Sequence, residues 1–148
     1  MRPVDLSISI ARPCEEVFEY LTDYSHEAEW QGEHVLESRP EPSGPVRLGT
    51  KVHKVRKTPL GTQRFTVEIV SYDDRGMTWT DRIVTGPLTG TTGRWTVSDA
   101  TEGCGVTVRM TFTGKTYGKL IAPVARRSAA RSVASELRNL RRLMEGRS

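Results

Sequence analysis

Apolar and polar residues alternate with a period of two through most of this chain, and a helical period takes over at its end. Leu6, Ile8 and Ile10 alternate with Asp5, Ser7 and Ser9, which predicts a half-buried strand over 5–10. Pro13 is placed to open a helix. Glu15 and Glu16 fall in its first turn, where the helix dipole favours acids, and Val17, Phe18 and Leu21 form its apolar side. Ser25 can cap a second short helix, HEAEWQ, anchored by Trp30. A short strand over 34–39 carries Val35 and Leu36 inward, and the PEPSGP segment at 40–45 reads as a loop.

Further strands follow at regular intervals. One covers 50–57, and the next covers 63–72 with Phe65, Val67 and Ile69 on one face. Over 77–84, Met77, Trp79, Asp81 and Ile83 share a register; over 88–98, Thr91, Gly93, Trp95 and Val97 do. Val106, Val108, Met110 and Phe112 then alternate up to Gly114. Turn-forming residues at 58–61, 73–76, 86–87 and 101–103 separate these runs, so successive hairpins build an antiparallel sheet.

Residues 118–148 obey a different period. Wound at roughly 100° per residue, Ala125, Ala129, Val133, Leu137, Leu140, Leu143 and Met144 fall on one side of a helix. Arg127, Arg131, Arg138, Arg141 and Arg142 fall on an adjoining face with Arg126 at its edge, and Ser128, Ser132, Ser135 and Asn139 fill the remainder. Pro123 fits the first turn and Gly146 fits the C-terminal cap. A curved sheet needs a cover on its concave face, and this is the only long amphipathic element available. The expected fold is α+β: a curved antiparallel sheet of about seven strands, two short helices after strand 1, and a long C-terminal helix across the concave face, in one domain over 1–148. Ala125, Ala129 and Ala130 on the helix, with Thr91 and Gly93 on a strand, are small where a solid core would want bulk. An internal, partly apolar cavity is therefore expected between sheet and helix, the ordinary form of a small-molecule site.

Composition narrows the setting. Mean hydropathy is −0.48, and no apolar run approaches the ~20 residues that span a bilayer. Asp5 and alternating serines interrupt the N-terminus, which does not read as a secretory signal, so a cytoplasmic location is expected. Cys14 and Cys104 lie far apart in sequence without zinc-type spacing and are expected to be free thiols. His26, His34 and His53 are scattered, the first two expected exposed, and no Glu or Cys stands at ligand spacing; no metal site and no cofactor motif emerges. The formal charge of +4 is unevenly spread: residues 1–41 carry ten acids against three bases, and residues 115–148 carry nine bases against two acids. Acidic front and basic back can attract each other within one chain or between copies, compatible with a monomer or a homodimer. A basic stripe without interleaved aromatics is not a nucleic-acid footprint; weak contact with an anionic membrane is the interaction it allows.

Four segments carry a family resemblance: ARPCEEVFEYLTDYSHEAEWQ after the first strand, LGTKV opening a middle strand, TVEIVSYDDRGMTW, and the final SELRNLRRLMEG. Together they resemble the helix-grip superfamily of birch-pollen-allergen-like and START-like proteins, often written SRPBCC, and are most similar to its bacterial polyketide cyclase/dehydrase branch. The resemblance covers nearly the whole chain. It implies binding of lipids, polyketides, plant hormones or other hydrophobic molecules, and in some members cyclase activity. It supplies no family-wide catalytic residue.

Asp81 is the foremost candidate for chemistry. Its register with Trp79 and Ile83 turns it inward if they face the cavity, and a carboxylate among aromatics acquires a raised pKa suited to acid–base work. Its alternative is a surface pairing with Arg82, Arg94 or Arg109. His53, in phase with Val55 but not Val52, is a second acid–base candidate, with a solvent-facing position as its alternative. Phe65, Val67, Trp79, Trp95, Met110, Phe112, Val133 and Leu137 are the expected cavity wall, and Tyr117 could place its hydroxyl at an entrance. Three functions follow. The first is binding of a hydrophobic small molecule, lipid or polyketide-like. The second is a polyketide cyclase or dehydratase using Asp81 or His53. The third is an interaction protein docking through the basic helix face.

Overall fold

The computed structural model describes residues 2–58, 61–113 and 118–146. Strand β1 (Val4–Ile10) is followed by helix α1 (Cys14–Thr22), a 3-10 turn (Tyr24–His26), the single-turn helix α2 (Glu27–Trp30) and another 3-10 turn (Gly32–His34). Six strands come next: β2 (Val35–Glu41), β3 (Lys51–Thr58), β4 (Gly61–Asp73), β5 (Thr78–Ile83), β6 (Thr92–Ala100) and β7 (Gly103–Thr111). Helix α3 (Gly118–Glu145) ends the described chain. The seven strands form one sheet in the order β1-β7-β6-β5-β4-β3-β2, antiparallel throughout. The two early helices carry the chain from one edge of the sheet to the other, and the remaining strands return by hairpins to meet β1. This is the sheet and closing helix that the alternation predicts, and the helix-grip arrangement that the family resemblance implies.

The inner face follows the period-two register. Val52, Val67, Ile69, Trp79, Val97, Val106 and Val108 are buried there, under Val17 and Leu21 of α1, Trp30 of α2 and Leu137, Leu140 and Met144 of α3. A second, smaller cluster joins Val4 and Phe112 to Ala122 near the start of α3, with Ala125, Ala129 and Ala130 packed against it. The principal neighbours of α3 are β1 and α2, so the helix lies along one side of the concave face.

Four sequence expectations are corrected. Strand β2 runs on through Pro40, which pairs with Val52, to Glu41; Pro40 is tolerated because β2 is an edge strand. The register slips between Val35 and Glu37, and Leu36 faces solvent at 52% exposure. Leu143 is also exposed, because the buried seam of α3 narrows to Val133, Leu137, Leu140 and Met144. Cys14 and Cys104 are not free thiols: they form a disulfide, with Cα atoms 5.1 Å apart. Ninety residues of sequence separation vanish because α1 starts against the beginning of β7. Pro59, Leu60 and Tyr117, part of the expected turn and the expected entrance residue, lie outside the described residues.

Candidate functional site

Alternation on β5 turns residues 79, 81 and 83 to the concave face, opposite residues 93 and 95 of β6. Trp79 pairs with Trp95 and Asp81 with Gly93. The two indoles stack nearly parallel at 6.0 Å. Phe18 of α1 meets Trp79 edge-on at 5.6 Å, and Trp30 of α2 meets Trp95 edge-on at 6.0 Å. These contacts fix the rings in orientations that aromatic quadrupoles favour.

A chain of hydrogen bonds crosses this aromatic wall. Trp79 Nε1 donates to the hydroxyl of Tyr24 at 2.9 Å, and that hydroxyl donates to Asp81 Oδ2 at 2.7 Å. Gly93 makes room for the carboxyl. A β-carbon at position 93 would stand 2.9 Å from Asp81 Oδ1 and 3.6 Å from Trp95 Nε1. The indole N–H of Trp95 has no hydrogen-bond partner among the described residues and remains an open donor beside the Asp81 carboxyl. Burial pushes the Asp81 pKa up, against the Lys54 charge and the Tyr24 hydrogen bond, which pull it down. Burial, then the neighbouring Asp81 and Glu27 charges, hold the Tyr24 hydroxyl well above its usual range, so it stays protonated and donating.

The other end of the concave face is ionic. Lys54 and Arg56 share the inner register of Val52 on β3. Lys54 Nζ lies 3.0 Å from Glu27 Oε1 and 4.9 Å from the centre of the Tyr24 ring. Glu27 also accepts from Gln31 at 2.9 Å and from Ser38 at 2.6 Å. Arg56 grips both carboxylate oxygens of Glu136 on α3, at 2.8 and 3.0 Å, and donates to Gln31 Oε1 at 2.7 Å. Glu136 is only 1% exposed, and burial raises its pKa despite Arg56 beside it. His34 borders this cluster; it is half-buried, not exposed, and its Nδ1 is buried with no partner among the described residues. His26 is half-buried too, because its ring stacks on that of Tyr20 at 4.4 Å.

The expected site residues therefore divide. Asp81, Trp79 and Trp95 come together in one cluster, with Phe65, Ile83, Met110 and Val133 half-buried around the same core. Val67, Trp79 and Leu137 are core residues with little exposed surface. Phe112 is separated from them in the smaller cluster with Val4 and Ala122. His53 lies on the outer face, its ring between Glu41 Oε2 at 2.8 Å and Thr66 Oγ1 at 3.1 Å. It lines an open outer groove of about 240 Å³ with Arg39 and Arg64. A second groove, about 480 Å³, lies across the outer face of β1, β7 and β6, lined by Asp5, Arg94, Thr107 and Arg109 among others. Tyr24, Glu27, Gln31, Lys54, Arg56 and Glu136 were not among the sequence candidates. The signal was present in part: Val52, Lys54 and Arg56 alternate in phase, and Glu136 interrupts the apolar seam between Val133 and Leu140.

The sequence matches, over residues 1–145, the family described as polyketide cyclase / dehydrase and lipid transport. No curated protein matches the chain by sequence. Among solved structures, the protein TTHA0849 from Thermus thermophilus superposes with a TM-score of 0.78 at 18% identity, over 95% of this chain and 94% of that one. The di-domain ARO/CYC StfQ of the steffimycin biosynthetic pathway gives 0.74 at 20% identity, over 97% of this chain and 51% of its own length. A START superfamily protein from Mycobacterium smegmatis gives 0.76 at 11% identity, over 98% of each chain. At these identities the likeness is one of fold.

Proposed function

Because the chain belongs to the polyketide cyclase / dehydrase and lipid transport family, we propose that it binds a hydrophobic small molecule, lipid or polyketide-like, on the concave face between β5, β6 and α3. The observation that carries this reading is the Trp79–Trp95 wall with two polar handles over Gly93: the Asp81 carboxyl and the open Trp95 N–H. Half-buried Phe65, Ile83, Met110 and Val133 around it supply apolar surface. Apolar lining with a few convergent polar groups is how small-molecule sites obtain both affinity and orientation.

A cyclase or dehydratase role is the second reading, favoured by the bond between Tyr24 and the raised-pKa Asp81. A carboxyl poised nearer neutrality can take a proton from a bound carbonyl compound or return one. Native mass spectrometry of freshly purified protein, followed by denaturing extraction, tests the binding role. A defined extra mass is expected, and Asp81→Asn should weaken rebinding of the extracted compound by about tenfold, the worth of one hydrogen bond to a charged group, with the fold retained. A clean apo mass together with no response of tryptophan fluorescence to hydrophobic probes would refute it. Turnover of the extracted compound with a pH optimum that Asp81→Asn abolishes would promote the enzyme reading.

A further inference from the structure

Helix α3 has an outward face that its own fold leaves unused. Placed at ~100° per residue, Leu120, Val124, Arg127, Arg131, Arg138 and Arg142 lie within one narrow stripe, with Arg141 at its margin. All seven side chains are exposed; Leu120 reaches 79% and Val124 48%. From Leu120 to Arg142 the stripe is about 33 Å long at 1.5 Å per residue.

The helix holds two acids: Glu136 is turned away from this stripe, and Glu145 lies in line with it just past its C-terminal end. Glu136 is buried against Arg56, and Glu145 accepts the Ala11 N–H at 2.9 Å. None of the five arginines forms an ion pair among the described residues; Arg142 only donates to Asn139. Arg127 and Arg131, and again Arg138 and Arg142, are like-charge neighbours one turn apart, which weakens a helix in isolation. Arg138, Arg141 and Arg142 stand near the C-terminus, where cations suit the helix dipole, but Arg127 and Arg131 at mid-helix gain nothing from it. An exposed apolar pair at one end of a straight basic row has no use against a phosphate backbone, which is recognised by charge and by stacking aromatics. It suits a flat anionic lipid surface, where arginines meet headgroups and short aliphatic side chains enter the interface. No helix of the described chain is long and apolar enough to cross a membrane, so contact of this kind would be peripheral.

We propose that the outer face of α3 docks the protein on an anionic bilayer, with Leu120 and Val124 inserting and the arginine row contacting headgroups. Val133 and Leu137, on the opposite side of the same helix, belong to the core that includes the Trp79–Trp95 wall. Docking would thus leave α3 between the membrane and the concave face, and it does not depend on what that face binds.

The experiment is flotation of the full chain with vesicles of phosphatidylcholine alone and of phosphatidylcholine with about one third phosphatidylglycerol. Binding is expected only to the anionic vesicles and should disappear as salt rises from about 0.05 to about 0.5 M. The variant Arg127→Gln/Arg131→Gln/Arg138→Gln should lose roughly fivefold per arginine, ~100-fold in all. Leu120→Ser should weaken binding while leaving its salt dependence intact. Circular dichroism melting of each variant separates these effects from misfolding. Absence of anionic-vesicle binding at low salt overturns the proposal. So does equal binding to duplex DNA that Leu120→Ser leaves unchanged, which would make the stripe a general polyanion surface.

Discussion

Asp81 concentrates the chemistry of the concave face in one carboxyl. Its pKa is raised above 3.8 chiefly by burial, so the folded chain holds this proton more tightly than the unfolded one. A group of that kind contributes stability that is fully present below the unfolded pKa and is lost as pH rises through the folded value. Glu136, raised from 4.5 for the same reason, adds to the trend. Asp81→Asn removes one of the two contributions and keeps an amide oxygen for Tyr24 to donate to. Thermal melting from pH 4 upward should therefore show the wild type losing stability more steeply than the variant, with the variant at least as stable near neutrality. Parallel pH profiles for the two proteins would show instead that Asp81 titrates as an ordinary solvated acid. Strand alternation puts Asp81 in phase with Trp79 and Ile83, and Trp95 with Val97, but for Asp81 the sequence also allows a surface pairing with an arginine. Tyr24 could not be placed, because a 3-10 turn carries no periodicity to aim its hydroxyl.

At the scale of elements, the concave face is held by ions as much as by apolar packing. Arg56 ties β3 to α3 through both oxygens of Glu136, and Lys54 ties it to α2 through Glu27. These links were hidden in the sequence because charged residues on strands and on an arginine-rich helix read as solvent-facing. Only their phase with Val52, and with Val133 and Leu140, argued otherwise. Breaking one partner should be costly. Arg56→Met strands a nearly inaccessible Glu136 carboxylate and leaves Gln31 without its donor, which should lower unfolding stability by about 3–5 kcal/mol in urea denaturation. Adding Glu136→Leu should recover most of that loss, since a buried ion pair can often be exchanged for apolar contact without penalty. A double variant no more stable than Arg56→Met would mean that the arginine acts through packing of its stem and not through its charge.

At the scale of the whole molecule, the connection least legible in the sequence is the covalent one between α1 and β7. Cys14 heads α1 and Cys104 opens β7, and their disulfide holds the first helix against the strand that pairs with β1. Helix α1 in turn supplies Phe18, whose ring backs Trp79, so the bond secures the far side of the aromatic wall. A loop of this length, closed covalently, restricts the unfolded chain strongly. Cys104→Ser should cost about 2–4 kcal/mol in urea unfolding, and reducing agent should bring the wild type down to a similar value. Denatured protein whose thiols were blocked at cell lysis should expose two cysteines only after reduction. Such a bond persists where the surroundings are oxidising and is rare where thiols are kept reduced, so this measurement also bears on where the chain resides. Cysteines already blocked before reduction would mean that the pair, though adjacent, is kept open in the cell, and the cytoplasmic expectation would stand. An intact bond would place maturation of the protein in a compartment that preserves disulfides.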